Sequence, residues 1–128
     1  MAITHTLTLG WARSGESISA AVAVSNDTEK NADVTLTASQ ANKQVALTID
    51  VSELKALFIS SDVACTVETN NSTTGDDTLT IVADQPLVWF TGCGLTNPLG
   101  TDVTTVYVTN DEATAGTCKI RALVDGTP

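Results

Sequence analysis

The sequence predicts an all-β chain: a single-domain antiparallel β-sandwich, jelly-roll-like, of about 8–10 short strands. Three observations lead there. Apolar residues alternate with polar ones at period two through most of the chain, the signature of strands with one buried face. The off-beat positions are rich in threonine, about one residue in six overall, a β-branched residue suited to exposed strand faces. Asn, Asp and Gly clusters interrupt the alternation every 8–14 residues or so, as turns between short strands do.

The elements follow in order. Ile3, His5, Leu7 and Leu9 alternate with Thr4, Thr6 and Thr8. Ile18, Ala20, Val22 and Val24 make a second strand, and Asn26-Asp27 breaks it. Val34, Leu36 and Ala38 form a third, and Val45, Leu47 and Ile49 a fourth. Within Asp50–Leu57, Val51, Leu54 and Leu57 stand three apart, which predicts a short helical turn near residues 51–57, capped by Asp50 or Ser52. The apolar run Leu57–Ile59 follows, then strands over Val63–Thr69, Leu79–Ala83, Leu87–Thr91, Val103–Thr109 and Cys118–Val124. Turn chemistry recurs at Asn70-Asn71, Gly75-Asp76-Asp77, Asn97-Pro98 and Asn110-Asp111. No internal repeat and no Gly/Ser or Pro linker divides residues 1–128, so one domain is expected.

The 128 residues, 42% hydrophobic and 16% charged, are enough for one core and exclude a disordered tail. No apolar run reaches the 18 or so residues of a membrane-spanning helix. Six basic against fifteen acidic side chains give a formal charge of −9, a surface that repels phosphate backbones, so neither nucleic acid nor membrane is an expected partner. The opening Met1-Ala2-Ile3-Thr4-His5 has no basic and apolar leader pattern, so no signal peptide is expected and synthesis is assigned to the cytoplasm. Asn26-Asp27-Thr28, Asn70-Asn71-Ser72 and Asn71-Ser72-Thr73 fit the glycosylation sequon, which matters only for a secreted chain.

Signals for chemistry are few. His5 is the one histidine. It lies on the apolar phase of the first strand and reads as a core or interface residue rather than a general base. No nucleophile elbow, phosphate loop or zinc-ligand spacing occurs, and no cofactor is expected. Cys65, Cys93 and Cys118, odd in number and widely spaced, match no disulfide framework. Cys65 and Cys118 read as buried small hydrophobes, and Cys93, between Gly92 and Gly94, as a turn thiol with no neighbouring cation to activate it. The densest oxygen cluster, Asn70, Asn71, Asp76 and Asp77, is a weak candidate for calcium against the reading of a solvated hairpin loop, and it lacks EF-hand spacing.

The aromatic residues are Trp11, Phe58, Trp89, Phe90 and Tyr107. Trp89 and Phe90, adjacent on one strand, must point to opposite faces, so one of them is expected outside or at an interface. Trp11 follows Gly10 at the end of the first strand, placed to anchor the chain to a core or a partner.

Gln85-Pro86-Leu87-Val88-Trp89, with Val103–Asn110 and Gly116–Leu123, resembles the capsid decoration or cement proteins of tailed bacteriophages, and the threonine-rich alternation elsewhere is similar in style. The resemblance implies a small non-enzymatic sandwich that binds the outside of an expanded phage head at capsomer junctions and stabilises it. Its partner would be the major capsid protein, its usual state a homo-trimer with a dimer as the variant, and its location the virion surface. In such a protein residues 1–10 would be an N-terminal arm or an edge strand used in contacts. Ile3, His5, Leu7, Leu9, Trp11, Trp89 and Phe90 are the candidate capsid or subunit interface. The competing function is a carbohydrate- or host-surface-binding module of a phage fibre or tail, which would need an exposed aromatic platform.

Overall fold

The computed structural model describes residues 2–126; Met1, Thr127 and Pro128, the ends of the expected domain, lie outside the described residues. Ten strands form: β1 (Ile3–Arg13), β2 (Glu16–Asn26), β3 (Thr28–Leu36), β4 (Lys43–Ile49), β5 (Leu54–Ser61), β6 (Cys65–Thr69), β7 (Thr78–Ile81), β8 (Leu87–Phe90), β9 (Val103–Asn110) and β10 (Gly116–Val124). The first two make a separate hairpin. The other eight form two four-stranded antiparallel sheets, ordered β3-β10-β5-β8 and β4-β9-β6-β7.

That order follows one rule. β3 pairs with β10, β4 with β9, β5 with β8 and β6 with β7, so the chain is one long hairpin nested about the β6–β7 loop. Folding the ribbon over places alternate pairs in opposite sheets, with β10 to β5 and β9 to β6 closing them. This is the jelly-roll sandwich. Most strands of the two sheets alternate buried with exposed or half-buried positions, while β8 is half-buried throughout; the inward set fills a single core with Leu36, Leu57, Ile59, Ile81, Val103 and Val108 at its centre. One gap in this core, lined by Leu57, Ile59, Val103 and Ile120 among others, has a volume of about 10 Å³, at the lower limit for a single water.

The expected helical turn forms, over fewer residues than the spacing suggested. A single 3-10 turn covers Val51–Glu53, with the Asp50 carboxylate accepting from the Ser52 amide (2.9 Å) and hydroxyl (2.6 Å). Leu54 and Leu57 belong to β5 instead. Leu123 pairs with Ala56 and Val124 with Leu54, so Lys55 is an extra residue bulged out of the ladder. A bulge lets two residues three apart face the same core, which imitates a helical period in the sequence. The strands β1 and β2, at 11 residues each, are also longer than the alternation predicted.

Candidate functional site

β1 and β2 pair along their whole length, from Ile3↔Asn26 to Arg13↔Glu16, and Ser14-Gly15 joins them. Gly15 supplies the left-handed residue of this tight connection, at φ +84°. At about 3.4 Å per residue the arm is roughly 35 Å long. Opposed residues share a face, so Ile3, His5, Leu7, Leu9 and Trp11 line up with Val24, Val22, Ala20 and Ile18. The reverse face carries Thr4, Thr6, Thr8 and Gly10 against Ser25, Ala23, Ala21 and Ser19, tied by a 2.7 Å Thr4–Ser25 hydroxyl bond.

The two halves of the apolar face differ. At the base, Ile3, Leu7, Val22 and Val24 pack with Ala56, Phe90 and Leu123 on the outer face of the β3-β10-β5-β8 sheet. Beyond Leu7 no described residue covers the stripe: Leu9 is 49%, Ile18 60% and Trp11 69% exposed. Arg13 and Glu16 at the tip form an exposed 3.4 Å ion pair that contributes little energy.

His5 fastens the arm to its seat. Its Nε2 donates to the Glu29 carboxylate at 2.7 Å, while the buried Nδ1 meets no hydrogen-bond partner. Arg121 lies alongside, held by Asp33 at 2.8 Å and by the carbonyls of Ala32 and Ile120. A gap of about 40 Å³ separates His5 and Leu7 from Phe58 and Arg121, so the arm is packed on its seat less tightly than the core is packed within.

The structure thus brings together six of the seven predicted interface residues: Ile3, His5, Leu7, Leu9 and Trp11 on the arm, and Phe90 in its seat. Trp89 points the other way, against the main core, and its indole N–H donates to the Leu95 carbonyl at 3.0 Å. Trp11 and Trp89 therefore do not build one platform. Ile18 is the residue the sequence reading passed over. Its position in an alternating run was visible, but not that the run pairs with β1 outside both sheets.

The oxygen-rich loop is spent on structure. Asn70, left-handed at φ +65°, accepts from Thr104 and Thr105 amides and donates to Asp76 and the Asp102 carbonyl. Asn71 accepts from the Thr73 and Thr74 amides, and Asp77 from those of Gly100 and Thr101. Among the described residues no three His, Cys, Asp or Glu side chains converge as a metal site. A recess of about 270 Å³ is an open polar hollow lined by Ser60, Asp62, Asp84 and Lys119 among others.

The thiols divide as the sequence suggested. Cys93 sits half-buried between two left-handed glycines, and Cys65 and Cys118 are fully buried. The latter two touch: the Cys118 thiol donates to the Cys65 sulfur, which holds Cys65 below its ordinary range and pushes Cys118 well up, with burial adding to the rise. No protein-family model, curated protein or solved structure matches the chain.

Proposed function

We propose that this chain is a non-enzymatic virion protein that decorates and stabilises an expanded tailed-phage head, with the β1–β2 arm as its main contact. The observation that carries the reading is the amphipathic hairpin whose outer apolar half is uncovered. Buried against a neighbour, each of Trp11, Ile18 and Leu9 would contribute roughly 1.5–3 kcal/mol. Among the described residues both edges of the two-stranded arm are also unpaired, so a strand of a capsid subunit or of a second copy can extend it. Binding only the expanded lattice would stabilise that state by mass action. A trimer at three-fold junctions, or a dimer at two-folds, would place several arms on one capsomer boundary.

Co-sedimentation with expanded and unexpanded heads of the encoding phage tests this. Saturable binding to expanded heads, lost in a Trp11→Ser/Ile18→Ser double variant, is the expected result, and no binding to either form sinks the proposal. The exposed Trp11 ring also favours a second reading, a glycan-binding module of a fibre or tail. That reading requires a sugar-dependent change in Trp11 fluorescence across a glycan panel.

A further inference from the structure

We propose that Cys65 and Cys118 are a modification site: they form an intramolecular disulfide that joins the two sheets when the chain meets a small-molecule disulfide such as glutathione disulfide. Facing sheets of a sandwich lie about 10 Å apart, whereas bridged cysteines need Cα atoms about 4.4–6.8 Å apart, so most cross-sheet pairs are excluded. This pair sits at a corner where the sheets converge. Cys118 on β10 is the ladder partner of Ser61, the last residue of β5. Asp62, Val63 and Ala64 then carry the chain into the other sheet, where Cys65 opens β6.

The closeness of that corner shows at Gly116, where a Cβ would fall 2.4 Å from the Asp62 carboxylate and 2.6 Å from a Val63 methyl. Thr117 N–H also donates to Asp62 at 2.8 Å. Both sulfurs are fully buried inside one core cluster, where each thiol perturbs the ionisation of the other. Cys93, in the β8–β9 loop with its thiol near the Leu95 carbonyl, is the third cysteine and lies outside that cluster.

The chemistry balances with the named oxidant. The Cys65 thiolate, the more readily formed of the two, attacks one sulfur of glutathione disulfide and expels a glutathione thiolate. Cys118 loses its proton and attacks the Cys65 sulfur of the mixed disulfide, expelling the second glutathione. Two protein thiols are oxidised and one glutathione disulfide is reduced to two thiols. Because both sulfurs are buried, the exchange takes place during folding or a local opening of the corner. The bond then closes a long loop of the unfolded chain, from β6 to β10, and raises the melting temperature by about 5–15 °C.

The test uses a Cys93→Ser variant, which leaves only this pair. It is reduced, unfolded, and refolded either in a glutathione redox buffer or in excess reductant. The expected oxidised product is two hydrogens lighter, yields a digest peptide linking Cys65 to Cys118, keeps the β-sheet circular dichroism, and melts higher than its reduced form. Both thiols remaining open to alkylation after unfolding, or a bridged form that melts lower, overturns the proposal. Should the variant fail to fold, the wild-type chain is mapped in the same way. There a Cys65–Cys118 link supports the proposal, and any link to Cys93 in its place overturns it.

Discussion

Asn110 shows how one side chain can hold two loops together at the end of the sandwich. It is 3% exposed, and its amide donates to the carbonyls of Thr37 (2.9 Å) and Thr114 (2.8 Å) while its oxygen accepts from Glu112 N–H (3.0 Å). A buried amide with every bond made costs nothing to keep, but its removal strands the carbonyls it served. Asn110→Ala is therefore expected to destabilise the chain by about 2–4 kcal/mol, read from the shift of the urea midpoint at constant m; a shift near zero would mean that water replaces the side chain freely. Asp50 works at the surface and depends on pH. Ser52 hydroxyl and amide donation favours its carboxylate and lowers its pKa from the ordinary 3.8. A folded pKa below the unfolded one gives stability that is present above about pH 4 and is lost as pH falls through the folded value. The midpoint gap between wild type and Asp50→Ala should accordingly narrow from pH 7 to pH 3, and an unchanged gap would show that the ionised form is not what caps the turn.

At the scale of elements, the arm contains two kinds of apolar residue that the sequence writes alike. Trp11 and Ile18 are exposed, so a Trp11→Ser/Ile18→Ser variant should keep its unfolding midpoint within about 0.5 kcal/mol of wild type. Leu123, 2% exposed beneath the arm's base, should cost about 2–5 kcal/mol as Leu123→Ala. If the double serine variant lost comparable stability, the distal face would be covered in the free protein and unavailable to a partner. This pair of outcomes also marks the limit of the sequence. Alternation told which side of β1 and β2 is apolar, and it placed Phe90 and Trp89 on opposite faces. It did not tell what covers a face, because Leu7 and Leu9 occupy the same phase and differ only in whether the outer sheet reaches them. The bulge at Lys55 was hidden for a related reason: an extra residue changes the period locally, and three-residue spacing then reads as a helix. The contact of Cys65 with Cys118 depends on strand order, which no local period encodes.

For the whole molecule, charge and topology separate the arm from the body. Between residues 2 and 26 the only Lys, Arg, Asp or Glu are Arg13 and Glu16, which cancel, so the formal charge of −9 resides entirely in the jelly roll. Like-charged bodies repel across solution while neutral, apolar arms can still meet a neighbour, an arrangement that favours solubility before docking. The nested pairing makes the same division mechanically. Removing residues 1–26 takes no ladder partner from the eight-stranded body, whereas β10 lies between β3 and β5 and brings Cys118, Ile120, Ala122 and Val124 to the core. A chain lacking residues 1–26 is thus expected to unfold in one cooperative transition, at a lower urea midpoint because Ala56, Phe90 and Leu123 lose their cover. A chain ending before Gly116 is expected to show no cooperative transition, since β3 and β5 then expose facing edges and a large share of the core is gone. If the armless chain also lost its transition, the arm would be part of the folding unit rather than an appendage. The uncovered stripe from Leu9 to Ile18 would then have to be explained by stability, not by docking.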